Sequence, residues 1–166
     1  MDASVNREEA LLEEQIVALM REKRLTLAAA ESCTGGMLSS RIIDVAGVSD
    51  VYKAGFVTYA NEAKQKLIGV KEETLMKYGA VSEQTAREMV AGALRATEAD
   101  MAVAITGIAG PDGGTKEKPV GLVYIACGSV EDIVVERCLF NGTRSEIRQA
   151  SAEHALEMLY REIMKK

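Results

Sequence analysis

The sequence predicts an α/β fold, a single three-layer α/β/α sandwich around a mixed, mostly parallel sheet of about five strands. Three observations predict it. Stretches with helical apolar spacing alternate with short, almost wholly apolar runs. Those runs are too apolar to leave a face in water, so helices must cover both sides. A hairpin pattern near the end of the chain then adds antiparallel strands.

The elements follow in order. Leu11, Leu12, Ile16, Leu19 and Met20 recur at helical spacing and predict a helix over Glu8 to Lys23. Leu25 to Ala30 reads as a buried strand, followed by a turn at Glu31-Ser32-Cys33-Thr34 and a helix from Gly35 to about Val45. Val51 to Tyr59 is the next strand. Asn61 is placed to N-cap a short helix through Ile68, and Glu72 to Tyr78 forms another that stops at Gly79. Ser82 caps a longer helix over Glu83 to Thr97, with Glu83 at its positive end. Met101 to Thr106 is the third strand, and a glycine-rich loop, Gly107 to Pro119, follows it. Val120 to Cys127 and Ile133 to Phe140 form the hairpin around Gly128. Thr143-Arg144-Ser145-Glu146 has the spacing of a capping box and opens the last helix. The organisation expected is one domain over residues 1–166, with the helix in residues 1–24 packed on it.

Composition narrows the function. A chain of 166 residues, 48% hydrophobic and 27% charged with two prolines, has the makings of one folded core. A formal charge of −5 gives no global reason to bind nucleic acid. No apolar run approaches the roughly 20 residues that span a bilayer. The residues from Met1 to Glu14 are too acidic and polar for a signal peptide. Three cysteines, Cys33, Cys127 and Cys138, match no zinc spacing, and their odd number suits a reducing cytoplasm. With His154 the one histidine, a His-based metal site or triad is disfavoured, so neither metal nor cofactor is expected.

Three segments after strands could carry chemistry, because open α/β sheets bind ligands there. In Glu31-Ser32-Cys33-Thr34-Gly35-Gly36, Gly35 and Gly36 let a ligand approach the backbone, and the helix start offers N–H groups to an anion. Ser32 stands where a nucleophile would face such an oxyanion site. The alternative is that Thr34 simply caps the helix. In Thr58-Tyr59-Ala60-Asn61-Glu62-Ala63-Lys64, an Asn61 cap puts Lys64 at the third helical position, where the helix dipole and burial would lower its pKa. That suits a base, although first-turn lysines are commonly just solvated. The loop Thr106 to Thr115 fits neither familiar phosphate-loop pattern; its glycines, among them Gly107 and Gly110, and its proline after a buried strand favour a binding loop over the alternative, a long surface turn. Arg144 and Arg148 lie one helical turn apart and could clamp a phosphate, or form an ordinary basic face. Cys33 has no histidine near it in sequence, and His154 reads as packing.

Together these segments resemble the CinA C-terminal domain family, which contains the nicotinamide mononucleotide deamidases. The landmarks are Ala30-Glu31-Ser32-Cys33-Thr34-Gly35-Gly36, Val57-Thr58-Tyr59-Ala60-Asn61-Glu62-Ala63-Lys64 and Gly79-Ala80-Val81-Ser82-Glu83. They continue with Thr106-Gly107-Ile108-Ala109-Gly110-Pro111, Lys118-Pro119-Val120-Gly121 and Arg144…Arg148. The resemblance runs from about Leu25 to Leu159 and is to the stand-alone form of the domain. It implies metal-free hydrolysis of the carboxamide of nicotinamide mononucleotide by a serine/lysine pair, carried over to Ser32 and Lys64. Tyr59, Thr106 and Arg144 match supporting positions. One block departs from the family's Gly-Asp-Arg or Gly-Asn-Arg: here it reads Gly142-Thr143-Arg144, which keeps a helix cap but changes a substrate-side group.

The mechanism expected has Lys64 take the proton of Ser32. Backbone N–H groups around Thr34 to Gly36 hold the oxyanion, Arg144 with Arg148 or the 107–115 loop holds the phosphate, and Glu31 offsets the pyridinium charge. Glu31 has a competing assignment, as a carboxylate that accepts backbone hydrogen bonds. The partner expected is a small nucleotide substrate, with no nucleic acid and no membrane; a homo-oligomer stays open. The rivals are a noncatalytic nucleotide-sensing or interaction module and an amidase for another small amide.

Overall fold

Alternating apolar and small residues along the strands decide how the layers stack. The computed structural model describes residues 10–166, and its five strands form one sheet in the order β2-β1-β3-β4-β5. β1 (Leu27–Glu31) is central and pairs in parallel with β2 (Tyr52–Val57) on one side and β3 (Met101–Gly107) on the other. β4 (Leu122–Gly128) runs antiparallel to β3, and β5 (Ile133–Leu139) antiparallel to β4. Four strands therefore share one direction and β4 alone is reversed, the mixed sheet that the sequence predicts.

One face of the sheet presents Leu27, Met101, Val103, Ile105, Val123 and Ile125 to α1 (Leu12–Lys23), α2 (Met37–Ile43) and α6 (Arg144–Met164). The other face is lined by Ala28, Ala30, Ala102, Ala104 and Ala126. These small side chains bring α5 (Glu83–Thr97) close to the sheet, together with α3 (Asn61–Ile68) and α4 (Glu72–Tyr78). Gly92 of α5 meets the end of α3 so closely that a Cβ there would lie 1.8 Å from the Ile68 carbonyl oxygen.

Several boundaries moved. Glu8, the expected start of the first helix, lies outside the described residues; α1 begins at Leu12, with the Glu14 carboxylate accepting the Leu11 N–H at 3.0 Å. α2 starts at Met37 rather than Gly35, because Gly35 and Gly36 sit at φ 57° and 98°, in left-handed conformations that complete the turn. The strands expected at 25–30, 51–59 and 120–127 are shifted or shortened to β1, β2 and β4. Ala60, not Asn61, is the N-cap of α3: it is extended, and its carbonyl accepts the Lys64 N–H at 3.2 Å. Lys64 thus falls at the fourth helical position. Ser82 caps α5 as expected, accepting from the Thr85 N–H at 3.2 Å, and Gly79 closes α4 at φ 78°. Thr143 and Glu146 form the capping box of α6. Among the described residues no helix is long and apolar enough to cross a membrane.

Candidate active site

The sheet register brings the three segments together. Chain order β1 then β2 on one side, and β3 on the other, makes β1/β3 a switch point, where the carboxyl ends of strands open a crevice. Glu31 pairs with Val57 on one side and Ile105 on the other. The chain is then pinned just beyond these pairs, with Ser32 N–H donating to Ile105 O and Thr58 N–H to Glu31 O, both at 2.9 Å. Ser32, the Thr58-to-Lys64 segment and the 107–115 loop therefore emerge side by side.

They enclose a cleft of about 260 Å³ lined by Ser32, Cys33, Tyr59, Lys64, Ala80, Val81, Thr106 to Gly110, Asp112, Gly113 and Arg144. Two larger hollows lie elsewhere. One runs between α2 and α6 beside Met37, Arg41, Gln149 and Glu153, and the other sits between α1 and the end of α6. Neither holds a nucleophile beside a base.

At the cleft floor, Lys64 Nζ lies 3.0 Å from Ser32 Oγ. The lysine is fully buried, and Nζ also donates to Thr58 O at 2.6 Å and to Tyr59 O at 3.4 Å. A neutral amine has two hydrogens and one lone pair. As an ammonium, Nζ donates to Ser32 Oγ; in the neutral form, with both hydrogens on the carbonyls, the lone pair is left for the serine hydroxyl. Burial pushes the Lys64 pKa down to about 8. Desolvation is the cause; Lys64 stands at the fourth helical position of α3, not at the third, where the helix dipole is expected to act. Burial drives the neighbouring Cys33 thiol the other way, up to about 11, so it is protonated at neutral pH and a poor nucleophile.

The remaining expected residues divide into two groups. Tyr59, Thr106, Gly107, Gly110 and Arg144 line the cleft. Arg144 bridges its mouth, Nη1 donating to Gly110 O at 2.8 Å and Nη2 to the Tyr59 hydroxyl at 3.0 Å. Thr106 donates its hydroxyl hydrogen to Ala80 O at 2.8 Å and so ties β3 to the 79–82 turn. Gly107 is required by close packing, since a Cβ would stand 2.6 Å from Val123 Cγ2.

Glu31, Thr34, Gly35, Gly36 and Arg148 are not among the residues that line the cleft. Glu31 is buried, and its carboxylate accepts the N–H groups of Gly36, Leu38 and Ser39 and the Ser39 hydroxyl. It caps α2 from the end of β1 and leaves no oxygen for a pyridinium. The Gly36 N–H is spent on Glu31 and the Gly35 N–H on Ser32 O. Among the described residues, the turn's uncommitted donors are the N–H groups of Cys33 and Thr34. Among the described residues, Thr34 Oγ1 and Thr58 Oγ1 are buried without a partner, and both residues lie between Ser32 and Lys64 in sequence. Arg148 does not join Arg144 in a clamp: it donates to Cys33 O and Thr34 O behind the turn.

Asp112 was missed. It is the one carboxylate in the 107–115 loop and could have been singled out on that ground. Among the described residues, the grouping nearest to a metal-ligand set is Glu136, Cys138 and His154, whose ligand atoms lie within 4.8 Å of one another. Its carboxylate is already shared between His154 and Arg161, and the His154 ring packs edge-on against Phe140. The cluster reads as an ion-paired patch between β5 and α6, apart from the cleft.

A mixed α/β sheet with a buried serine–lysine pair at its switch point defines a class of domain. The chain belongs to the CinA C-terminal domain family, which matches residues 9–163. It is 55% identical over 148 residues to a CinA-like protein of Thermotoga neapolitana, covering 89% of this chain and 36% of that protein. It is 49% identical over 156 residues to the CinA-like protein of Kosmotoga olearia, covering 94% and 38% respectively. The chain thus spans less than two fifths of the length of these two relatives. Among solved structures, it resembles the competence/damage inducible protein CihA from Agrobacterium tumefaciens with TM-score 0.88 and 45% identity, over 90% of this chain and 92% of that one. A CinA superfamily protein from Klebsiella pneumoniae gives TM-score 0.90 at 33% identity, over 97% and 99%.

Proposed function

We propose that this protein is an amidohydrolase that converts nicotinamide mononucleotide to nicotinate mononucleotide and ammonia. The observation that carries the reading is the 3.0 Å contact between Ser32 Oγ and a fully buried Lys64 whose pKa is lowered to about 8. A lysine placed for structure alone is paired with a carboxylate or solvated. This one meets a hydroxyl and two carbonyls.

The reaction runs in two halves. Lys64 takes the Ser32 proton as Oγ bonds to the carboxamide carbon. The N–H groups of Cys33 and Thr34 are the donors available to the oxyanion. Collapse breaks the C–N bond, and the leaving nitrogen departs as ammonia with the proton from Lys64. Water then attacks the acyl ester, giving a proton to Lys64, which returns it to Ser32 as the carboxylate product leaves. Support for a nucleotide substrate comes from the cleft mouth. There Arg144 offers a guanidinium fork to a phosphate, and Asp112 is the carboxylate available to a cationic ring or a ribose diol.

Ammonia release from nicotinamide mononucleotide and from free nicotinamide tests the reading. Turnover of the nucleotide, much slower turnover of the free amide, and none by Ser32→Ala are expected. Silence with both substrates would favour the noncatalytic rival, which the competence-related names of the solved relatives suggest.

A further inference from the structure

We propose that Arg148 is a positioning residue that aims the oxyanion-binding N–H groups from behind the nucleophile turn. The proposal rests on the serine/lysine amidase reading above.

The argument starts from peptide geometry. A trans peptide is planar, so its C=O and the next residue's N–H point in opposite directions and move as one unit. Fixing the oxygen fixes the direction of the N–H. Arg148 Nε donates to Cys33 O at 2.9 Å and Nη2 donates to Thr34 O at 3.0 Å. The first contact sets the Thr34 N–H, which has no acceptor of its own among the described residues. The second sets the Gly35 N–H, which closes the turn onto Ser32 O at 3.1 Å. A guanidinium suits this task, because its planar fork reaches two carbonyls at once and never loses its charge.

The turn is held from the other side too, by the Glu31 carboxylate on the N–H groups of Gly36, Leu38 and Ser39. Between the two clamps the backbone has little freedom to rotate its donors away from a developing oxyanion. Such preorganisation acts in the transition state and not on ground-state binding. Gly35 is favoured in the turn by its backbone φ of 57°, a conformation that side chains rarely adopt, and not by crowding from Arg148. Arg148 is anchored for the purpose, since Ile147 and Ser151 beside it on α6 are fully buried.

The test separates Arg148 from Arg144. Steady-state kinetics with nicotinamide mononucleotide would be measured for the wild type, Arg148→Met and Arg148→Lys. Binding of the same nucleotide would be measured with each change added to Ser32→Ala. The expected result is a kcat about a hundredfold lower or more in Arg148→Met, the scale of one lost oxyanion donor. Nucleotide affinity in the Ser32→Ala background should be unchanged. Arg148→Lys, which keeps the charge without the fork, should recover little, whereas added guanidinium ion should restore part of the Arg148→Met rate. Weakened nucleotide affinity with kcat unchanged would overturn the proposal and return Arg148 to the phosphate. Wild-type kcat in both variants would overturn it as well. A wild-type protein that releases no ammonia overturns the amidase reading and this assignment with it.

Discussion

The cleft has a floor and a rim that are built on opposite rules. On the floor and just beneath it, Lys64 and, behind the nucleophile turn, Glu31 and Arg148 direct their polar atoms to partners inside the protein, and Lys64 and Glu31 are buried. On the rim, Tyr59 and Arg144 are exposed, and the contacts of Arg144 are a phenol and a backbone carbonyl. A phosphate competes well for such a guanidinium, because a charge-assisted bond is about twice as strong as a neutral one. A carboxylate already holding three backbone N–H groups has no such exchange to make. Committed partners thus mark the scaffold of the reaction, and replaceable ones mark recognition. The two arginines of α6 illustrate the difference within a single helical turn.

The largest expected effect comes from breaking the floor at Lys64. Lys64→Met should lower kcat/KM by about 10²–10⁴-fold, the range of a lost general base. In the wild type, kcat/KM should rise with pH through about 8 as the amine becomes neutral. Stability follows with a defined sign. The folded pKa lies below the ordinary lysine value of 10.5, so holding a proton on Lys64 costs the folded state. That cost, on the order of 3 kcal/mol, is fully present below pH 8 and vanishes as pH rises past 10.5. Lys64→Met should therefore be at least as stable as the wild type at neutral pH, with any advantage fading in alkali. Thermal melts across that range decide it. A strongly destabilised variant at pH 7 would mean the lysine is a charged structural group.

Glu31→Gln probes the floor without touching the reacting atoms. The amide keeps one acceptor oxygen but turns an NH₂ toward backbone donors, so charge-assisted bonds worth about 1.5–3 kcal/mol are at stake. A clear fall in denaturation midpoint is expected. Unaltered stability combined with weaker nucleotide binding would restore Glu31 to the substrate.

At the rim the effect should be smaller and of a different kind. Arg144→Ala should raise KM by roughly 10–100-fold, matching the 1.5–3 kcal/mol of a lost charge-assisted contact, with kcat less affected. Stability should change less than in Glu31→Gln, because Arg144 is exposed and its partners are an exposed phenol and a single backbone carbonyl. An unchanged KM would remove Arg144 from the phosphate.

What the sequence revealed of this comparison follows from distance along the chain. Local signals were legible: the Ser82 cap of α5, the Thr143–Glu146 box of α6, and the alternation that fixed the layers. The Ser32–Lys64 pair was legible because both residues follow parallel strands whose register aligns their ends. The partners of Arg148 were not legible because they lie 114 and 115 residues away, and a spacing of four suggested one shared task for both arginines. Glu31 had its correct alternative in view. The signal that favoured it was a helix starting after two glycines with no capping side chain of its own. The Asn61 cap failed for a simpler reason: the extended conformation of a cap can be adopted by alanine, and Ala60 adopted it.

The smallest effect should come from Thr58, where the floor leaves a polar atom unused. Its Oγ1 is buried with no partner among the described residues, while its backbone carbonyl accepts from Lys64. Thr58→Val exchanges that hydroxyl for a methyl and keeps both the β-branch and the carbonyl. Removing a buried polar atom that makes no bond is close to neutral or mildly stabilising. The melting temperature should stay level or rise by roughly 2–4 °C, the scale of 1 kcal/mol in a chain of this size. Activity should remain within about threefold, since the lost hydroxyl carried no bond worth even about 1 kcal/mol. Thr106→Val is the matched control. Its hydroxyl donates to Ala80 O at 2.8 Å, so the same chemical change strands a carbonyl and should cost about 1–3 kcal/mol. If Thr58→Val instead lost most of its kcat while its melt held, the hydroxyl would belong to the reaction, as a donor recruited only once substrate is bound. The division would then shift, with the floor holding one group in reserve for the transition state rather than for the fold.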